Sequence, residues 1–252
     1  MRDGEWLSET AYDYVFELSP AGLGWEFLRR DPAYHQAYRA HRSGEADAPD
    51  PSAWGLVVYA DPALSALEQP VFWRAEIDAR TVVLTSAPLS GDVDALRFQP
   101  ANWPGELRQY PALDGVHMLL RCGGVEHRLW APRPLADDEP FALLVLPDSM
   151  APARAEAALR FWRCLRRPGP REAARRADPS AKRLRLALRA HDGRRTGASY
   201  RELAEGLFGA DRIDPETWKT SSVRDATIRL VRSGASLSGG DYRRLLSKPT
   251  AD

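Results

Sequence analysis

What this sequence has little of narrows it first. It holds two cysteines in 252 residues, Cys122 and Cys164, with no CxxC and no metal-ligand grouping beside them. Neither a disulfide framework nor a zinc site is expected, and both thiols read as reduced structural residues. No apolar run is long enough to span a bilayer, and the opening MRDGEWLSET is too acidic and polar for a secretory signal. The expectation is a folded protein of the cytoplasm with no membrane partner. There is no P-loop, no GxGxxG after a strand, no GxSxG and no HExxH. Gly22-Leu23-Gly24 lacks the third glycine and a preceding strand, so it reads as the start of a helix. Asp137-Asp138-Glu139 is a carboxylate cluster beside prolines in a surface loop. These gaps point to a protein that is not an enzyme and carries no cofactor and no metal.

Net charge is lacking as well, since 35 Lys and Arg balance 35 Asp and Glu. The balance hides a division. From residue 151 onward 23 Lys and Arg stand against 12 Asp and Glu, and before it the figures are reversed. A basic terminal part favours a polyanionic partner, because cations opposite phosphates release condensed counterions. A solvated Arg-rich face that binds nothing specific is the plain alternative. With 44% hydrophobic residues the chain can bury a sizeable core.

The most informative stretch runs from Ser199 to Ser233. Ser199 is a good N-cap, Glu202 completes a capping box, and Leu203, Leu207 and Phe208 share one face before Gly209 ends the helix. A second helix follows Thr220-Ser221-Ser222, with Val223, Thr227, Leu230 and Val231 at helical spacing and a stop expected at Gly234. Its opposite face shows Arg224, Asp225, Arg229 and Arg232. Two short helices, the second led by Lys219, Thr220, Ser221 and Ser222, are what a helix-turn-helix needs to place its second helix in a major groove. The joining segment, Ala210 to Thr220, is longer than the usual tight turn.

In chain order, Trp6 to Ala46 reads as three short helices, with Ser19-Pro20 and Asp31-Pro32 each a cap followed by proline. Their aromatics, Trp6, Tyr14, Trp25 and Phe27 among them, form either a subdomain core or a self-association surface. Residues 43–52 read as a linker. Strand character follows at Trp54–Tyr59, Thr81–Leu84, Val116–Cys122, Val125–Trp130 and Phe141–Leu146, with Gly123-Gly124 marking a tight hairpin. His117 and His127 lie on that hairpin, either facing each other or as ordinary sheet side chains. From Ala151 the pattern is helical again: one amphipathic run from Pro152 to Arg167 closed by Pro168-Gly169-Pro170, and another after Asp178-Pro179. A turn is expected at Asp192 to Gly197, carrying Arg194 and Arg195. The fold class is therefore α+β, with N-terminal helices and a small, mostly antiparallel sheet followed by a helical C-terminal domain holding a helix-turn-helix variant. The expected domains are 1–50, 51–150 and 151–252.

Two stretches carry a family likeness. YDYVFELSPAGLGWEFLRRDPAYHQAYRA, Tyr12 to Ala40, resembles the N-terminal domain of a proteobacterial transcriptional regulator-like group, DUF6499. Arg183 to Leu246, and above all WKTSS with the following arginine, is similar to the DUF2285 or RovC-like DNA-binding domain. The resemblance implies a helix-turn-helix variant and a layout like that of activators of conjugative-element excision and of type VI secretion genes. It implies double-stranded promoter DNA as partner and a homo-oligomer, a dimer or higher, with a hexamer among the possibilities. Short relatives made of the C-terminal domain alone act as antiactivators that bind another transcriptional regulator, so the fold does not settle the partner. On the DNA reading, Arg224 and Arg229 reach bases beside Asp225. Lys219, Thr220, Ser221, Ser222, Arg194, Arg195 and Arg201 sit on the phosphate side, with a plain surface residue or an internal salt bridge as the alternative at each DNA-facing position. Trp218 reads as a staple packed under the second helix rather than a base-stacking ring.

Overall fold

The computed structural model describes residues 4–87, 96–166, 179–214 and 218–247. The fold is α+β, and the chain divides into two compact units. One groups the described residues 4–36 with 179–242, and the other 37–166 with 243–247.

The first unit begins with two 3-10 segments, Glu5–Leu7 and Thr10–Glu17. Helix α1, Pro20–Leu28, follows. Ser19 caps it by accepting from the Gly22 N–H at 3.0 Å, with proline at the first position. Helix α2, Pro32–Ser43, starts in this unit, and Asp31 caps it through the Ala33 N–H at 2.9 Å. The remaining helices are α4 (Pro179–Arg195), α5 (Tyr200–Phe208) and α6 (Ser222–Ser236). Helix α5 has the expected capping box between Ser199 and Glu202 and ends at Gly209, whose φ is 95°. The N-terminal aromatics form the interior of this unit: Trp6, Tyr12, Trp25, Phe27 and Tyr34 are all buried, and Trp25 meets Tyr34 edge-on at 5.4 Å.

The second unit is a sheet with one long helix on it. Its strands are β1 (Thr81–Ser86), β2 (Arg97–Phe98), β3 (Glu106–Ala112), β4 (Gly115–Cys122), β5 (Val125–Ala131) and β6 (Glu139–Leu144). They lie in the order β2-β6-β1-β5-β4-β3, and β1 with β5 is the parallel pair. The others run antiparallel, including the β4–β5 hairpin, whose Gly123 and Gly124 have φ of 56° and 75°. Helix α3 (Ala151–Arg166) places Ala157, Ala158, Phe161 and Cys164 against Val82, Leu84, Met118, Leu120, Cys122 and Leu129. On the opposite sheet face Arg128 donates to the Val71 carbonyl and Arg121 to the Ala66 carbonyl, tying down an irregular segment that buries Leu56, Val71, Phe72 and Trp73. The short helix α7, Arg243–Ser247, also belongs here, its Leu246 carbonyl accepting from the Ala79 N–H.

Several expectations are corrected by these elements. Trp54–Tyr59 is not a strand: Pro51–Trp54 is a 3-10 turn, and Leu56 makes a single bridge to Trp73. The apolar residues there supply core contacts without a ladder. His117 and His127 do not face each other, because successive strand residues alternate between faces. His117 stacks on Trp130 and bonds Asp114 at 3.0 Å, whereas His127 lies on the α3 side against Phe161. Among the described residues no three His, Cys, Asp or Glu side chains are grouped to hold a metal. No described helix is long and apolar enough to cross a membrane. The Pro168-Gly169-Pro170 stop lies outside the described residues.

Candidate nucleic-acid interface

Helix α6 is fixed by one face and leaves the other to solvent. Ser221 opens it by accepting from the Val223 N–H at 3.2 Å. Thr227, Leu230, Val231 and Gly234, at i, i+3, i+4 and i+7, are buried, with α4 the helix that α6 touches most. Thr227 satisfies its hydroxyl on the Val223 carbonyl at 2.8 Å. The stop expected at Gly234 is not there, since the helix continues to Ser236. The glycine serves closeness instead: a Cβ at Gly234 would stand 2.5 Å from the Ala187 carbonyl oxygen and 2.8 Å from the His191 Cβ. Backbone meets backbone at this crossing.

The outward stripe of α6 then follows from the 3.6-residue period. Ser222, Asp225, Arg229, Arg232 and Ser236 are exposed along it. Arg224 stands on its flank, with 40% of its side chain exposed and 3.7 Å from the Asp225 carboxylate. Lys219 and Thr220 are exposed in the 3-10 turn Trp218–Thr220 that leads into the helix, where Trp218 is half-buried. Arg229, Arg232 and Lys219 make no ion pair with the described residues. Arg232 falls outside the contact set reasoned from sequence, although its place three residues after Arg229 signals it.

Arg194, Arg195 and Arg201 belong to the corner between α4 and α5. The expected turn at Asp192 to Gly197 is corrected, because α4 runs through to Arg195 and only Thr196-Gly197 turns. The reason is that Asp192 and Gly193 are interior. A Cβ at Gly193 would lie 2.8 Å from the Trp6 ring. Arg194 donates to the Ala198 carbonyl and lies 5.0 Å over the Tyr200 ring, and Arg201 pairs with Glu205 at 3.0 Å. Arg195 is exposed at the end of the helix.

Other arginines of the unit are structural. Arg189, 1% exposed, donates to the Trp6, Leu7 and Gly206 carbonyls and so joins the N-terminus to α4 and α5. Arg185 pairs with Glu9 and Asp13 and lies over the Phe16 ring. Deeper still, Arg30 bridges Asp192 at 2.7 Å and Glu26 at 2.9 Å. Tyr12 donates to Asp192 and Tyr14 to Glu26. Burial pushes the Glu26 carboxyl up, but Arg30 and Arg29 outweigh it and hold the group below its ordinary 4.5. Burial pushes the Tyr12 hydroxyl up, reinforced by the Asp192 charge. Burial also lowers His191, beside the α4–α6 crossing, from 6.5 to about 4.

Residues 144–247 match the model of a type VI secretion transcription factor DNA-binding domain, the RovC type. Residues 5–57 match the proteobacterial transcriptional regulator-like domain. These two domains make the protein a DNA-binding transcriptional regulator. Carrying both, the chain belongs to the RovC-like regulator family. No curated protein matches it.

Proposed function

We propose that the protein is an activator that binds promoter DNA as an oligomer, with α6 as the recognition helix of a helix-turn-helix variant, and that it performs no catalysis. The observation that carries this reading is the division of α6: Thr227, Leu230, Val231 and Gly234 are spent on the unit's own core, while Asp225, Arg229 and Arg232 line the free face. Arginine fits guanine O6 and N7 bidentately, and Asp225 suits a cytosine amino group. Lys219, Thr220, Ser221 and Ser222, at the helix N-terminus, meet phosphates, with Arg195 as a second phosphate contact from the end of α4. One such helix reads few base pairs, which is the physical reason for an oligomer on repeated half-sites.

The test is binding to genomic fragments retained by the protein, followed by footprinting of variants across a salt series. Arg224→Ala with Arg229→Ala removes sequence preference, each guanine contact contributing about 1–3 kcal/mol of discrimination. Lys219→Ala weakens all sequences alike and lowers the salt slope by about one. Unchanged footprints from the double variant overturn the assignment of α6. Binding that is indifferent to salt, with a purified regulator as the ligand, overturns the DNA reading in favour of an antiactivator.

A further inference from the structure

The N-terminal aromatics do not supply a surface for a second copy, because Trp6, Trp25 and Phe27 are 6%, 0% and 0% exposed. The exposed apolar side chains of a helix lie elsewhere. On α3, Leu159 and Trp162 are each 44% exposed, although the opposite face of the same helix packs Ala157, Phe161 and Cys164 into the sheet core. The exposed positions are Pro152, Ala155, Leu159, Trp162 and Arg166, with Arg163 beside them. Their spacing of three, four, three and four residues is the seam of a two-helix coiled coil. A tryptophan and a leucine one turn apart on a solvent face have the composition of an interface anchor.

The charges along one flank of this stripe select the occupant and its direction. Glu156 stands toward the N-terminal end, bonded to Arg160 and with its side chain 40% exposed. Arg163 is exposed seven residues on, at the equivalent place of the next heptad. In a parallel copy an e position meets a g position, so Arg163 would have no carboxylate opposite it. An antiparallel copy sets it against Glu156, twice over by symmetry. The same two-fold arrangement puts leucine against tryptophan on both sides, and Ala155 leaves room for the helices to approach. The surface is complementary to itself.

We propose that α3 is a self-association seam on which a second copy of this chain lays its own α3 antiparallel, Leu159 against the partner's Trp162 and Glu156 against the partner's Arg163. The proposal rests on the oligomeric reading above and names the surface that produces it. One helix per copy buries less than the roughly 1,200 Å² of a standard stable interface. The pairing is therefore strongest where two copies are already held near each other on one duplex.

The test is sedimentation of the full chain over a concentration series, with circular dichroism melts to show that each variant is folded. The unsubstituted chain should dimerise, and Trp162→Glu should raise the dissociation constant at least about tenfold. Glu156→Arg and Arg163→Glu should each weaken association, and the two together should restore it. A chain that stays monomeric throughout, a dimer indifferent to Trp162→Glu, or a charge swap that fails to restore pairing overturns the seam. Binding to a duplex with a single half-site is measured alongside. A Trp162→Glu chain that keeps single-site binding but loses cooperative binding to paired sites supports the seam. A dimer that responds to these substitutions but binds no duplex supports the seam and overturns the DNA reading instead.

Discussion

Arg30, Asp192, Glu26, Tyr12 and Tyr14 form a polar network in which Glu26 and Asp192 have no exposed surface. Such a network stands or falls as a set, because removing one partner strands a buried charge. Asp192→Asn is expected to cost about 3–5 kcal/mol, a large part of an ordinary domain's stability, and a urea melt reads it as a lower midpoint. The same melts followed with pH should show acid weakening in two stages. Burial lowers His191 and His127 from 6.5 to about 4, so the unfolded chain takes up protons that the folded one refuses. Stability is then full above about 6.5 and declines as pH falls toward 4. Glu26, held below 4.5, adds its loss at lower pH still. None of this was legible from residue order. Arg185 and Arg189 count toward the basic excess after residue 151, yet their partners Glu9, Asp13 and the Trp6 carbonyl lie more than 170 residues away. Composition counts charges and cannot tell which are already paired.

At the scale of elements, what was legible is what local chemistry decides. The caps at Ser19, Ser199 and Ser221 and the Gly-Gly hairpin each appear where their residues place them. Strand β3 escaped notice because it is an edge strand whose sequence mixes Glu106, Arg108, Gln109 and Pro111 among few apolar residues. The continuation of α6 past Gly234 escaped notice for another reason: a glycine near a helix end looks like a cap unless the neighbouring helix is known. Gly234→Ala tests the crossing. Alanine gains about 1 kcal/mol of helix propensity, but its methyl would press on backbone at Ala187, and overpacking of that kind costs about 1–3 kcal/mol. We expect net destabilisation and a weaker hold on DNA, measured by thermal melting and gel shift. For the candidate interface, the outward face of α6 was legible from its period. Arg194 and Arg201 look as unengaged as Arg229 in sequence, and the structure gives them local partners on Ala198 and Glu205 while leaving both exposed.

At the scale of the whole molecule, the first unit is assembled from both ends of the chain. Arg189 alone holds three carbonyls, on Trp6, Leu7 and Gly206, and residues 4–36 fill the interior around it. A fragment limited to residues 179–247 would expose Arg189, Asp192 and the apolar face of α4 to water. It should give broad, non-cooperative melting and poor chemical-shift dispersion, whereas the full chain melts sharply. A fragment that folds sharply by itself would show that the N-terminal segment is dispensable to this core. The sequence could not reveal this closure, since nothing local to Trp6 announces a partner near Gly193.

One outcome of that closure concerns timing. A ribosome works from one end, so the segment holding Trp25 and Phe27 leaves it well before α4 and α6 have been made. Until then its aromatics have no niche, and a product broken off before α6 lacks the helix proposed to read DNA. Competence to regulate therefore waits on the synthesis of α6.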